Sequence, residues 1–196
     1  MAANLPDDAP DGLLWIPDLL GPAEAEAHLT GLMGEIPWED HTFTIFGRTL
    51  PMPRRICMFG PHGYDYSGVH HPPLPLLPRL DAIRRQVEER TGVPFNSVLC
   101  NLYRSGADSM GWHTDDDYPS GGQPMVASVS LGGRRVFRMR PRRAEAPRRS
   151  IGWELPSGSL LCMDGVSRTD WQHAIPRTRR PVAPRINLTF RHMVGP

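Results

Sequence analysis

Pro184-Arg185-Ile186-Asn187-Leu188-Thr189-Phe190-Arg191 alternates strictly between polar and apolar side chains after its proline. In a strand this puts Arg185, Asn187, Thr189 and Arg191 on one face and Ile186, Leu188 and Phe190 on the other. The apolar face demands a core. The two arginine backbones lie about 20 Å apart, six steps of ~3.4 Å, and their long side chains can narrow that gap. On an open edge strand the polar face would meet solvent. Turned into a barrel, each unpaired guanidinium would cost several kcal/mol, so the face would need anions.

Two further segments supply a metal set. In an extended His113-Thr114-Asp115, the imidazole and the carboxylate point the same way. By itself such a pair is common on surfaces. His173 follows 58 residues after Asp115, within the strand-like run Trp171–Ile175. Two histidines and one carboxylate from two strands match the facial set that holds non-haem Fe(II) and leaves positions open. A hydrolytic zinc site could use the same ligands with a water. The arginine face separates the two readings. A small dicarboxylic keto acid, with one carboxylate at Arg185 and its keto-acid end nearer the metal and Arg191, would satisfy both metal and arginines. These residues thus argue for 2-oxoglutarate.

The surrounding sequence reads as helices first and strands after. Pro22–Met33, between Gly21 and Gly34, predicts a short helix with proline at its start. Leu80–Arg90 predicts a second, with Leu80, Ile83 and Val87 on one face. Residues 41–60, which include Pro51 and Pro53, read as short edge strands, and residues 61–78 as a Pro/Gly/His loop. Strand-like runs follow at Ser97–Arg104, Met125–Leu131, Arg134–Arg140, Ile151–Leu155, Ser159–Asp164, Trp171–Ile175 and Arg185–His192. That order predicts a mostly β, α+β fold: a sandwich or barrel flanked by helices. The Arg140–Arg149 stretch reads as a solvated hairpin loop. Residues 1–12 read as a flexible end.

At 196 residues and 21.9 kDa the chain suits one domain with a real core. Hydrophobic residues make up 39% and no run approaches the ~20 apolar residues of a membrane span. Leu13–Leu20 is broken by Pro17 and Asp18, so no signal peptide is expected. Three cysteines, Cys57, Cys100 and Cys162, argue against a disulfide framework and for a reducing, cytoplasmic compartment. All 22 basic residues are arginine. Residues 1–40 carry nine acids and no base, whereas residues 132–196 carry 14 arginines and four acids. An arginine-dense half is an expected footprint of phosphate binding, although arginine also packs against carboxylates.

The chain resembles the AlkB-like Fe(II)/2-oxoglutarate dioxygenases over roughly residues 50–193. Asn101-Leu102-Tyr103 resembles the family's Asn-x-Tyr, and His113-Thr114-Asp115 its HxD. Ala127–Gly132, Pro156–Leu161, Trp171–Pro176 and Pro184–Arg191 resemble its later segments in order. The resemblance implies a double-stranded β-helix (jelly roll) within one domain over 13–196. Residues 13–95 would form helices and a base-binding lid, and residues 96–193 the core. It implies iron on His113, Asp115 and His173. It implies 2-oxoglutarate on Asn101, Tyr103, Arg185 and Arg191, with Asn187 and Thr189 beside them. The implied reaction uses O2 for oxidative demethylation, with succinate, CO2 and formaldehyde as products.

Within the family the chain is most similar to members that repair alkylated DNA bases, of the 1-methyladenine and 3-methylcytosine type. Pro53-Arg54-Arg55 and Tyr64-Asp65-Tyr66-Ser67-Gly68 resemble their lid. The target atom lies on the pairing edge, so the base must leave the stack. Tyr64, Tyr66 and Trp112 could supply aromatic faces, with Ser67 beside them. Asp116 or Asp117 could offset the methylated base's positive charge. Arg54, Arg55, Arg135, Arg142 and Arg143 are candidate phosphate contacts from charge position. The competing readings are the same chemistry on RNA, a protein side chain or a small molecule, an inactive nucleic-acid-binding module, and a zinc hydrolase. Nothing in the sequence reads as an oligomerisation stripe, so monomer is the default.

Overall fold

The computed structural model describes residues 5–45, 47–66, 69–115, 125–143 and 150–194. For Phe43, Ile45, Tyr64–Tyr66 and Val69–His71 only the backbone is described. The first half of the chain runs β1 (Leu13–Ile16), α1 (Pro22–Glu35), β2 (Glu39–Ile45), β3 (Arg48–Phe59), β4 (Tyr64–Tyr66), β5 (Val69–His71) and α2 (Pro78–Thr91). Then come β6 (Ser97–Tyr103), β7 (Met110–His113), β8 (Val126–Gly132), β9 (Arg135–Pro141), β10 (Ile151–Leu155) and β11 (Leu160–Met163). A short α3 (Val166–Thr169), β12 (Trp171–Ile175) and β13 (Arg185–Arg191) complete the described elements.

Both long helices begin with proline, whose fixed φ suits the first helical position. In α2, Leu80, Ile83 and Val87 are fully buried, and Gly92 closes the helix in the left-handed conformation at φ 70°. Each of these side chains contributes about 1.5–3 kcal/mol by leaving water. Helix α1 buries Ala25, His28 and Leu32 at the same spacing.

The strands form a seven-stranded sheet, β1-β11-β8-β13-β6-β3-β2, and a four-stranded sheet, β10-β9-β12-β7, with β4-β5 a separate hairpin. This two-sheet arrangement is the expected jelly roll. Strand β13 lies at the centre of the larger sheet, antiparallel to β6 and β8. One face of β13 buries Ile186, Leu188 and Phe190. They pack with Val98, Cys100 and Leu102 of β6, Val129 and Leu131 of β8, and the apolar stripes of α1 and α2. The other face looks toward the smaller sheet. Between the sheets Phe137, Met139, Trp153, Leu161 and Met163 form a second core, against which Leu5 and Ala9 of the N-terminal segment pack. One end of that intersheet space is therefore apolar, and the polar face of β13 lines the rest.

Two expectations need correction. Residues 48–59 form one twelve-residue strand, not short edge strands. Its prolines lie in the half that pairs only with β2, close to a register shift between Asp40 and Thr42, whereas β6 pairs from Arg55 onward. A missing N–H there costs little. Within residues 61–78, expected as loop, the chain forms the β4-β5 hairpin. The sequence reading also left β1 and α3 unassigned.

The three cysteines are buried and unbridged. Burial pushes the Cys57 thiol up to about 11 and Cys162 up to about 12. Among the described residues no helix is long and apolar enough to cross a membrane.

Candidate metal centre and anion pocket

His113 and His173 sit on neighbouring strands and are direct register partners. Their ring centroids are 4.1 Å apart, inclined at 57°. Asp115 follows two residues after His113, so its side chain returns to the same side. Its Oδ1 lies 3.9 Å from His113 Nε2 and its Oδ2 lies 3.5 Å from His173 Nε2. One ligand atom from each residue falls within 4.8 Å of the others, a grouping able to hold a metal ion. His113 Nδ1 contacts the Gly111 carbonyl at 2.9 Å, which aims Nε2 at the cluster. Phe137 stacks on the His173 ring, centroid to centroid 5.4 Å and tilted 23°.

The charges suit a cation. Burial would raise the Asp115 pKa, but Arg191, His173 and His113 outweigh it and hold the carboxyl well below its usual range. Arg191 Nη2 donates to Asp115 Oδ1 at 2.7 Å. Arg168 Nη2 donates to the Asp115 backbone carbonyl at 2.9 Å. Burial lowers the His173 pKa to about 4, against the pull of Asp115. At neutral pH the site therefore holds an ionised carboxylate and a neutral His173, the protonation states a metal needs.

The neighbouring polar face carries a candidate anion pocket. Tyr103 and Asn101 of β6 stand opposite Arg185 and Asn187 of β13. Arg185 is 1% exposed, and only its Nη2 finds a hydrogen-bond acceptor, Ser130 Oγ at 2.8 Å. Its Nε and Nη1 have none among the described residues. Its guanidinium lies over the Tyr103 ring, 5.2 Å from the centroid. Burial pushes its pKa down to about 10, opposed by Tyr103 and assisted by the nearby Arg135. A buried guanidinium with two unsatisfied nitrogens fits a carboxylate ligand. Asn187 Nδ2 donates to Ser128 Oγ at 2.7 Å, and Thr189 Oγ1 donates to Asn187 Oδ1 at 3.1 Å. These bonds lock the wall of the pocket. Arg191 joins the pocket to the metal cluster.

The nucleic-acid candidates fare differently. Arg54 is buried, and its Nε donates to Asn101 Oδ1 at 2.9 Å; it supports the pocket and is not placed to meet a phosphate. Arg55 pairs with Asp40 through two nitrogens, at 3.0 and 2.7 Å. Arg135 is buried on three carbonyls, which removes it from the phosphate candidates. Trp112 has one face covered by Arg140, whose Cζ lies 4.3 Å from the ring centroid, so that face is closed to a base. Tyr64 and Tyr66 fall on β4, where only the backbone is described; Ser67, Asp116 and Asp117 lie outside the described residues. Sequence reasoning did not assign Ser128, Ser130, Phe137 or Arg168. The serines had a signal, since they share one face of β8 by alternation. Phe137 and Arg168 had none, because their contacts form only when distant parts of the chain meet.

A family model described as the 2OG-Fe(II) oxygenase superfamily matches residues 12–191. The mouse DNA oxidative demethylase ALKBH2 is 37% identical over 186 residues, covering 90% of this chain and 78% of that protein. The human alpha-ketoglutarate-dependent dioxygenase alkB homolog 3 is 36% identical over 182 residues, covering 89% of this chain and 64% of that protein. The chain thus spans about three fifths of the length of the alkB homolog 3 relatives. The solved structure of OsALKBH1 superposes with a TM-score of 0.63 at 19% identity, over 92% of this chain and 97% of that one, a likeness of fold. With the metal cluster and the anion pocket both in place, the chain belongs to the 2OG-Fe(II) oxygenase superfamily, and Fe(II) and 2-oxoglutarate are its metal and cosubstrate.

Proposed function

We propose that the protein oxidatively demethylates N-alkylated bases in DNA, releasing formaldehyde, succinate and CO2. Arg185, buried with two unsatisfied nitrogens on the same face of β13 as Arg191, which donates to Asp115 of the metal cluster, is the observation that carries the oxygenase half of this reading. The DNA half rests on relatives of more than 35% identity named as DNA oxidative demethylases. Fe(II) and 2-oxoglutarate, when bound, would supply with O2 the oxidising equivalents for hydroxylating an N-methyl carbon. His113, Asp115 and His173 hold the iron. Arg185 and Tyr103 take the distal carboxylate, with Asn101, Asn187 and Thr189 shaping the pocket. Arg191 would meet the keto-acid end, and it keeps Asp115 ionised and oriented. The buried walls exclude water from the oxidising centre.

We assign the flipped base to the lid residues Tyr64, Tyr66 and Ser67, on their likeness to the lid of base-repair enzymes, and its positive charge to Asp117. The reading includes one catalytic domain over 13–196, a monomer acting without a membrane, and a reducing, cytoplasmic setting that suits three free thiols.

The test is incubation with Fe(II), 2-oxoglutarate and O2 on matched strands carrying one 1-methyladenine or 3-methylcytosine: single-stranded DNA, duplex DNA and RNA. Mass spectrometry should show loss of one CH2 from DNA, abolished in His173→Ala. Faster loss from RNA would reassign the substrate. Succinate release without loss from any strand would exclude base demethylation.

A further inference from the structure

Arg135 opens β9 in the smaller sheet and is 3% exposed. Its guanidinium serves three backbone carbonyls. Nη1 donates to Ser105 at 3.2 Å, and Nη2 donates to Asp108 at 2.8 Å and to Pro176 at 2.7 Å. Ser105 and Asp108 lie in the loop joining β6, which carries Asn101 and Tyr103, to β7, which carries His113. Pro176 begins the loop joining β12, which carries His173, to β13, which carries Arg185. Arg135 therefore clasps both crossovers between the anion-binding strands and the metal-binding strands. The same two loops meet again where Thr178 N–H donates to the Gly106 carbonyl at 2.9 Å. The approach is tight: a Cβ on Gly106 would lie 2.5 Å from the Thr178 carbonyl oxygen.

Arg135 also stacks on Tyr103, with its Cζ 5.5 Å from the ring centroid, while Arg185 approaches the same ring at 5.2 Å. Two buried guanidiniums on one phenol repel each other, and the effect is felt at Arg185. For the clasp alone, a charge is a costly choice, because burying one is expensive and neutral donors can also bond carbonyls. The planar guanidinium gives what a neutral donor does not. It packs over the Tyr103 ring and adds positive potential beside the carboxylate pocket.

We propose that Arg135 is a positioning residue for the cosubstrate. It acts through Tyr103, holding the phenol and the two crossover loops in the geometry that receives the distal carboxylate of 2-oxoglutarate. This rests on the 2-oxoglutarate reading of the pocket and deepens it.

The test is a double-mutant cycle of Arg135→Lys with Tyr103→Phe, read by calorimetric titration of 2-oxoglutarate into the Mn(II)-loaded protein without turnover. Arg135→Lys keeps the charge but loses the plane and the fork. It should weaken 2-oxoglutarate by at least about fivefold in the wild-type background and less than about twofold in the Tyr103→Phe background. Mn(II) affinity should stay within about twofold, since no metal ligand is touched. Equal losses in both backgrounds would overturn the proposal, as would a lowered melting temperature with unchanged affinity. If Arg135→Lys does not fold, Arg135→Gln, which retains an amide donor for the carbonyls, carries the same cycle. A wild-type protein that binds Mn(II) but not 2-oxoglutarate would overturn the pocket reading and this proposal together. Additive losses on a wild type that binds would overturn the proposal alone.

Discussion

Asp115 is bound from three directions: Arg191 on Oδ1, His173 near Oδ2 and Arg168 on its main-chain carbonyl. Asp115→Asn removes the negative charge that Arg191 and the metal share. It should lower Mn(II) or Fe(II) affinity by more than about a hundredfold. It should also destabilise the apo-protein by about 3 kcal/mol, because Arg191 loses its buried counter-charge. Metal titration and urea unfolding read the two effects separately. His173 gives a pH signature. Its folded pKa lies near 4 and its ordinary value near 6.5, so the unfolded chain takes up the proton first as pH falls. The apo-protein should hold its full stability from His173 above pH 6.5 and lose up to about 3 kcal/mol of it on going down to pH 4. Urea midpoints of wild type and His173→Ala across that window check it. At this scale the sequence was legible where alternation spoke. Arg185 to Arg191 reads as one polar face because one apolar face accompanies it. Arg134 and Arg135 look alike in sequence, yet the first is largely exposed and the second is buried on three carbonyls. Strand parity separates them, and parity is fixed only once β9 pairs with β10 and β12.

At the scale of elements, the site is set by the register of β6, β13 and β8. Gly132 ends β8 at φ +88°, and a Cβ there would lie 2.4 Å from the Pro184 carbonyl oxygen, next to Arg185. Gly132→Ala should cost about 1–3 kcal/mol in denaturant unfolding. By displacing the start of β13 it should also weaken 2-oxoglutarate binding severalfold, measured by calorimetry. The helices were readable from Leu80, Ile83 and Val87 and from the prolines that begin them. The long β3 was not, because Pro51 and Pro53 signal a break to a local reading. Only the pairing pattern, with β6 joining from Arg55 onward, shows that the prolines fall where no second neighbour needs their N–H. The β4-β5 hairpin was hidden for a similar reason: three-residue strands carry too little periodicity to stand out.

Over the whole molecule, charge is segregated along the chain, with acids in the first 40 residues and arginines after residue 132. Part of that arginine excess is structural. Arg185, Arg191 and Arg135 are buried in or around the site and are not available to phosphates. The exposed remainder should make binding to a methylated single-stranded oligonucleotide salt-dependent. About three phosphate contacts would lower affinity roughly twentyfold between about 50 and 200 mM salt. Fluorescence anisotropy across that range checks this; a flat response would remove the arginines from the interface. The two-sheet architecture and the metal set were legible because each segment has a local signature that recurs in order. The loop clasp was not, since Arg135 meets carbonyls 27 to 41 positions away, nor was the intersheet core, whose side chains come from both sheets.

The most direct test of the account is stoichiometry in a single reaction. Protein loaded anaerobically with Fe(II) and 2-oxoglutarate is given oxygen and a single-stranded DNA carrying one 1-methyladenine. Unmodified adenine, formaldehyde and succinate are then counted together. The account predicts one formaldehyde for each adenine restored, with succinate formed at least as fast, and none of the three in His173→Ala. Restored adenine without formaldehyde, or restoration that persists in the absence of 2-oxoglutarate, would contradict it.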